Sequence, residues 1–392
     1  MHVKKWFIRG FLGLLAVCLV LVGVSALVNR NRPTQSAVVD RLSEAEKARL
    51  AEFFQVRQQL GDAVWPGWET DVLPVIVYNE SYAFLLDYPD PPDGWLKVPQ
   101  NEPRGGPWEL VAEDTFNGEP YYRQPLPADG TTPQAFTVRV GNQWAASMTT
   151  MEWMEISLAN QFESELPSFL APIFPYGLAN SLFIRGSDGY ISLLAHESFH
   201  AYQGIVAPKR LAAAETAVTR TESTYPWDDA ALQEAWQTEL DLLAAALEAE
   251  TETEMMALAQ QFLDQRQARR EAAKLSPAQA NYEMQREWLE GLARYAELEI
   301  WRQASLAEGY EPVAAILDDP DFSAYANFDK RWSQEIDQIG RMAGDEGDGR
   351  FYYSGMAQAV LLDRLMPNWK EQALDEAVFL EDLLGTAVIL LQ

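Results

Sequence analysis

The chain begins with an apolar run that differs from the rest of its hydrophobic pattern. Gly10 to Val28 contains no charged residue, and as a helix it would span about 28 Å. That length is close to the thickness of the hydrocarbon core of a bilayer. We therefore expect residues 1–32 to form a membrane anchor or signal segment, and no second run is long enough to span.

Basic residues lie on both sides of this run. Lys4, Lys5 and Arg9 precede it, which favours a cytoplasmic N-terminus and a single-pass topology. The two arginines that follow it oppose that orientation. The small residues at positions 24–26 are compatible with cleavage by a signal peptidase. A retained anchor and a cleaved signal both remain open, and both place the rest of the chain outside the cytoplasm.

Residues 33–150 change from a helical to a strand-like pattern. The capping-box pattern at Ser43 predicts a helix to about Leu60, which Gly61 and Pro66 end. Leu73–Tyr78 and Phe136–Met148 are rich in β-forming residues, and a turn at Gly141-Asn142 interrupts the second stretch. This region is predicted to be one helix followed by mixed β structure.

From Met151 onward the pattern is mainly helical. The alanine- and glutamate-rich stretch from Ala230 to Ala273 predicts one or two long amphipathic helices, and Ser276-Pro277 is a favourable helix start. We therefore expect an α+β fold in three parts: the N-terminal segment at 1–32, the helix and mixed β region at 33–150, and a mainly helical region at 151–392.

Composition and charge narrow the classes of function. Hydrophobic residues make up 48% of the 392 positions, which excludes global disorder. All 58 acidic residues follow position 32, together with 25 basic ones, so this part has a net charge of −33. Such a surface repels nucleic acid and anionic lipid headgroups. The one cysteine, Cys18, lies in the apolar run, so the exported part forms no disulfide.

Two of the three histidines form the strongest chemical motif in the chain, His196-Glu197-Ser198-Phe199-His200. Helical residues four apart differ by about 40° around the axis, so both imidazoles can reach one metal ion. Glu197 lies about 100° from His196, beside the ion, where it can take a proton from an activated water. Chance produces such a pattern in about one of 300 chains of this composition.

Catalytic zinc usually has a third protein ligand. The exported part offers no further histidine or cysteine, so this ligand must be a carboxylate. The segment from Trp288 to Glu297 is the best source; it contains Glu290 and Glu297, and Glu287 directly precedes it. The alternative interpretation is that Glu283, Glu287, Glu290 and Glu297, which lie on neighbouring parts of one helical face, form a solvated acidic stripe.

The histidine motif followed by Trp288-Leu289-Glu290-Gly291 resembles the gluzincin metallopeptidases, and is most similar to the aminopeptidase N-type enzymes. The resemblance implies a gluzincin-like fold, a Zn²⁺ ion, and Glu290 as the third ligand. Glu287 and Glu297 stay open as ligands, and Glu297 is also a candidate for orienting a histidine. Gly291 would let another helix approach closely.

Tyr352-Tyr353-Ser354-Gly355 begins another predicted helix. Aminopeptidase N-type enzymes have a catalytic tyrosine three residues before a glycine at a similar helix start, and Tyr352 matches that position. The resemblance implies that it stabilises the oxyanion. Tyr353 is the alternative, because two adjacent tyrosines leave the register open. An aromatic packing pair without a catalytic role is the other interpretation.

The resemblance covers three short motifs and not the whole chain. Between His200 and Glu290 there are 89 residues, where the family has a short segment. The family's Gly-x-Met-Glu-Asn loop, which binds a free amino group, is missing, so aminopeptidase specificity is not implied.

We expect a membrane-anchored or exported zinc metallopeptidase acting on a peptide or protein. One alternative is an inactive, metal-binding scaffold on the extracytoplasmic side. The other is a structural domain in which the histidine motif is accidental.

Overall fold

The computed structural model describes residues 22–70, 72–98, 102–133, 138–345, 347 and 349–390. Residues 22–29 are helical, whereas positions 10–21 of the predicted membrane run lie outside the described residues. Among the helices within these ranges, none has both the length and the apolar character needed to cross a bilayer.

The first half of the chain contains a mixed β-sheet. Its strands are β1 Val75–Tyr78, β2 Tyr82–Leu86, β3 Trp95–Lys97, β4 Glu102–Arg104, β5 Glu109–Leu110, β6 Tyr122–Pro125, β7 Val138–Val140 and β8 Gln143–Thr149. Their spatial order is β4-β3-β7-β8-β1-β2-β6-β5. The pair β1 and β8 is parallel, and the other described pairs are antiparallel. The turn predicted at Gly141-Asn142 joins β7 to β8 and is confirmed, with a φ of 56° at Gly141.

Helices make up most of the remaining described structure. The α-helices are Glu44–Val64, Met151–Glu165, Tyr176–Phe183, Gly186–Val206, Pro208–Thr221, Ala230–Glu248, Glu252–Ala272, Pro277–Arg286, Leu292–Leu306, Phe328–Ile339, Gly349–Leu365, Trp369–Gln372 and Leu380–Leu390. Short 3₁₀ turns are Ala171–Ile173, Glu222–Thr224, Ala314–Asp318 and Met342–Gly344, and Glu287–Gly291 is a π-helical turn. We call Gly186–Val206 the histidine helix, residues 277–306 the glutamate helix, and Gly349–Leu365 the tyrosine helix.

Local sequence explains several helix ends. Ser43 caps the first long helix by accepting a hydrogen bond of 3.2 Å from Glu46 N. Ser276 forms the expected helix start, in a reciprocal capping box with Gln279. The helix runs past the predicted end near Leu60, through Gly61, and ends at Val64, before Pro66. Gly61 instead permits a close contact, since an added Cβ would lie 3.1 Å from Glu69 N.

The histidine helix is held between the sheet and other helices. One side packs on β8, where an added Cβ at Gly204 would lie 2.5 Å from the indole of Trp144. The glutamate helix and the helix Glu44–Val64 pack on its other sides. Apolar side chains from residues 33–150 and 151–392 therefore share one core, and that core fixes the position of the histidine motif.

Candidate metal centre

His196 and His200 lie one turn apart on the histidine helix, and both are buried. Their Nε2 atoms are 3.2 Å apart. The opposite ring nitrogens face polar partners: His200 Nδ1 lies 2.9 Å from Gln203 Oε1, and His196 Nδ1 lies 3.5 Å from Glu297 Oε2. Such partners at Nδ1 turn the two Nε2 atoms toward a common point.

Glu290 reaches the same point from the glutamate helix. Its Oε2 lies 3.4 Å from His196 Nε2 and 3.3 Å from His200 Nε2. The other oxygen, Oε1, is 3.0 Å from Arg286 Nη2. One carboxylate oxygen is thus held by an arginine, while the other faces the histidine pair.

These three atoms have the spacing that a tetrahedral zinc ion requires. Zinc bonds of about 2.0–2.1 Å place neighbouring ligands of a tetrahedron about 3.3 Å apart. Glu290 Oε2 is buried without a hydrogen-bond partner, an unfavourable state that a bound cation would relieve. The residues therefore fit a zinc ion. Across the described residues, this is the one place where three such ligand atoms converge.

The charges around the point also favour a cation. Burial lowers the pKa of His196, but the nearby carboxylates of Glu290 and Glu297 outweigh it and raise the pKa to about 10. Burial alone would raise the pKa of Glu290, yet Arg286 and the two histidines bring it well below its usual range. Both shifts show that the surroundings favour positive charge at this point: the Glu290 carboxylate is ionised, and His196 binds a proton more tightly than usual. A metal ion would supply that positive charge in place of the proton.

The position of Glu290 depends on the π-helical turn Glu287–Gly291. A π turn shifts the helical hydrogen-bond pattern by one residue and is often found at functional sites. Gln203 compensates for the shift, because its amide nitrogen lies 3.0 Å from Trp288 O and 3.3 Å from Leu289 O. Gln203 therefore contacts His200 through one end of its amide and the π turn through the other.

The two other candidate ligands have different partners. Glu287 forms an ion pair of 2.8 Å with Arg266 and accepts a hydrogen bond from Ser354. Glu297 accepts two hydrogen bonds of 2.6 Å from Arg294 and lies at His196 Nδ1, on the far side of the ring from Nε2. Both glutamates are buried, so the alternative of a solvated acidic stripe is wrong.

Glu197 lies beside the ligand atoms but is not one of them. It is 5% exposed, and its Oε2 is buried without a hydrogen-bond partner. Burial raises its pKa to about 7, against the opposing effect of the two histidines. A bound divalent cation would lower this pKa again. Burial and, to a smaller extent, the negative charge of Glu197 raise the pKa of Tyr78 on β1.

The structure distinguishes the two adjacent tyrosines. The ring of Tyr352 stacks on His196, with centroids 5.6 Å apart and planes 8° from parallel. Burial and the nearby Glu290 carboxylate, to which it hydrogen-bonds, raise the pKa of Tyr352 well above its usual range. Tyr353 instead lies over Arg294, whose Nη2 is 3.4 Å from the tyrosine hydroxyl.

Two glycines set the distance between the glutamate and tyrosine helices. An added Cβ at Gly291 would lie 2.4 Å from Gly355 Cα, and one at Gly355 would lie 2.4 Å from Glu287 O. Side chains cannot occupy such positions without separating the helices. The close helix approach expected at Gly291 is confirmed.

Gly291→Ala should therefore disturb both helices that carry site residues. We expect a loss of about 1–3 kcal/mol in the free energy of unfolding, as for overpacked cores, together with weaker zinc binding. Thermal denaturation and zinc titration measure the two effects. Gly344→Ala is the matched control, because an added Cβ there meets nothing within 4 Å. Equal behaviour of the two variants would contradict the role given to Gly291.

Several residues around the site were missed from the sequence. Gln203 and Arg286 could have been found, since each lies one helical turn from a predicted site residue. Arg331 and Glu335 could not. They belong to the helix Phe328–Ile339, and they contact Glu297 and Arg294 only through tertiary packing.

The arrangement has the parts of a hydrolytic metal centre: three convergent ligand atoms, a buried carboxylate beside them, and a phenol stacked on one ligand. Comparisons of the chain with protein-family models, with curated proteins and with solved structures find no match.

Proposed function

We propose that this protein is a zinc metallopeptidase of the gluzincin type, anchored or exported by its N-terminal apolar run, that hydrolyses peptide bonds outside the cytoplasm. One observation supports the proposal most strongly. His196 Nε2, His200 Nε2 and Glu290 Oε2 lie 3.2–3.4 Å from one another, with the buried carboxylate of Glu197 beside them, whose Oε2 has no hydrogen-bond partner. The motif resemblance supports the same class of enzyme.

His196, His200 and Glu290 would hold the metal, and Gln203 and Glu297 would fix the orientation of the two imidazoles. Zinc, when bound, supplies a Lewis acid that lowers the pKa of a water molecule and polarises a carbonyl. The dense packing of the histidine helix keeps the two imidazoles in position without rearrangement on substrate binding.

Glu197 would accept a proton from the attacking water and then deliver it to the leaving amine. A carboxylate that is buried and free of hydrogen bonds at Oε2 is available for both transfers. Tyr352 would donate a hydrogen bond to the substrate oxygen as negative charge develops on it. The hydroxyl lies at the Glu290 carboxylate, and therefore next to the proposed reaction centre.

The zinc site is tested by metal analysis of the purified full-length chain. We expect about one zinc per chain, which is the stoichiometry of a mononuclear site with three protein ligands. His196→Ala or His200→Ala should abolish binding, because each removes one ligand. His2→Ala is the matched control, since it removes the remaining histidine of the chain. Full zinc occupancy in the double variant of His196 and His200 would rule out this site.

The role of the phenol is tested by two single-atom changes in adjacent residues. Tyr352→Phe should keep zinc and lower kcat by about 10²–10³, as for loss of one oxyanion donor. Tyr353→Phe is the control and should keep kcat near the wild-type value, because Tyr353 contacts Arg294 and not the ligands. A larger loss from the Tyr353 variant would show that the assigned register is wrong.

A further inference from the structure

An uncharged apolar segment lies on the surface of this acidic protein. From Leu166 to Ile184 the chain has no charged residue, although residues 33–392 carry a large excess of acidic side chains. The segment includes the 3₁₀ turn Ala171–Ile173 and the helix Tyr176–Phe183, and it leads directly into the histidine helix. Its composition is therefore unlike that of the surface around it.

Five large apolar side chains of this segment are exposed, and four of them strongly so. Phe169 is 73% exposed, Leu178 61%, Leu182 65% and Phe183 67%, whereas Leu170 is 36% exposed. Leu178 and Leu182 are one helical turn apart and share a face. We call the four most exposed residues, Phe169, Leu178, Leu182 and Phe183, the apolar face. Several large exposed apolar side chains within one short segment indicate a surface that contacts a partner.

The described end of the N-terminal apolar run is attached to the same segment. Ser25 Oγ donates a hydrogen bond of 2.8 Å to Phe174 O. Asn29 Nδ2 donates bonds of 3.0 Å to Pro172 O and 2.9 Å to Phe174 O. The apolar face is therefore fixed beside the point where the run Gly10–Val28 joins the domain.

A second contact strengthens this attachment. The guanidinium group of Arg32 lies 4.3 Å from the centre of the Tyr176 ring and forms an ion pair with Glu163. Tyr176 begins the helix that carries three of the four residues of the apolar face. Ser25, Asn29 and Arg32 are thus all bound at this segment.

We propose that the apolar face inserts into the interfacial region of the lipid bilayer that holds the N-terminal run. The inference rests on the proposed membrane attachment. A lipid surface fits better than a protein partner, because the segment offers no charged group for ion pairing and lies beside a run that itself requires hydrocarbon. Since the acidic surface is repelled by anionic headgroups, this uncharged segment can approach the bilayer more readily than the acidic surface around it.

Insertion would place the metal centre near the membrane. The histidine helix begins at Gly186, directly after the segment, and His196 follows ten residues later, about 15 Å along the helix. This proximity favours membrane-associated polypeptides as substrates over freely diffusing peptides.

The test uses the full-length chain with Cys18→Ser, reconstituted into phosphatidylcholine vesicles. A fluorescent probe is attached to Leu182→Cys, and in a second sample to Ala257→Cys, an exposed position of the helix Glu252–Ala272. Lipids with a quenching group in the upper acyl chain should quench the probe at 182 several-fold more than the probe at 257. Anionic lipid should not increase the quenching, because insertion depends on apolar contact.

Equal quenching at the two positions would overturn the proposal. Vesicle flotation distinguishes binding by the N-terminal run from insertion of the apolar face. If the chain floats but the probe at 182 is not quenched, the run is in the membrane and the apolar face is not inserted. If the chain does not float, neither part is in the membrane. Both results overturn the proposal. A disulfide between two Leu182→Cys chains would show that a second copy covers the face, which also overturns it. Zinc content and peptide hydrolysis in detergent report on the metal centre independently of these results.

Discussion

Glu197→Gln should keep zinc at the wild-type level while peptide hydrolysis falls by a factor of about 10² or more, as expected for loss of a positioned general base. The Glu197 carboxylate lies beside the three convergent atoms but is not part of that group. An amide of nearly the same shape fills the same space but cannot accept the proton. Zinc content and kcat should be measured on the same preparation, so that a loss of folding is not mistaken for a loss of chemistry.

Glu290→Gln is the matched variant, and unlike Glu197→Gln it should lose zinc. An amide is a poor zinc ligand, and Arg286 would also lose its ion-pair partner at 3.0 Å. Zinc affinity should therefore fall. Loss of zinc from the Glu197 variant, with zinc and activity kept in the Glu290 variant, would contradict the assigned roles. The third ligand would then have to be sought at Glu287 or Glu297.

Glu239→Ala should lower the free energy of unfolding by about 3–5 kcal/mol, the usual cost of removing one partner from a buried ion pair. Glu239 is fully buried, with Oε1 at 2.7 Å from Arg266 Nε and Oε2 at 2.6 Å from Arg269 Nε. Its loss leaves two buried guanidinium groups short of negative charge. Urea denaturation measures the change.

The control for this variant is Glu271→Ala. Glu271 is exposed, and its carboxylate accepts a hydrogen bond from Gln267 at the surface. Its removal should change stability by no more than about 0.5 kcal/mol. If the two substitutions lowered the free energy of unfolding by similar amounts, the ion pairs of Glu239 with Arg266 and Arg269 would not stabilise the fold as proposed.

The buried ion cluster of Glu239, Arg266 and Arg269 gives a role to the long segment between His200 and Glu290. The helices Ala230–Glu248 and Glu252–Ala272 supply Glu239, Arg266 and Arg269, and Arg266 also pairs with Glu287 at the start of the π turn. These two helices therefore support the part of the glutamate helix that presents Glu290. A change at Glu239 should weaken zinc binding as well as stability, although the residue does not touch the site.

Features that depend on neighbouring residues were predictable from the sequence. The four-residue spacing of His196 and His200, the cap at Ser276 and the turn at Gly141 each follow from contacts within a few positions. The register of Tyr352 could be proposed but not fixed, because adjacent residues of a helix point only about 100° apart.

Features that depend on distant contacts were not predictable. The π turn that carries Glu290 is supported by Gln203, which comes from another helix. The sequence allows Glu287 to be a metal ligand or part of a solvated stripe. In the structure it is buried, pairs with Arg266 and accepts a hydrogen bond from Ser354. A single sequence does not show which acidic residue will meet which arginine, because that depends on the packing of several helices.

The central claim is that the metal centre hydrolyses peptide bonds, and peptide cleavage measures it most directly. The zinc-loaded full-length chain should be incubated with a mixed peptide library, in parallel with Glu197→Gln and His196→Ala, and new peptide termini identified by mass spectrometry. We predict new termini with the wild-type protein and almost none with either variant, although the Glu197 variant keeps its zinc. An absence of cleavage by fully zinc-loaded wild-type protein, or equal cleavage by the Glu197 variant, would contradict the account.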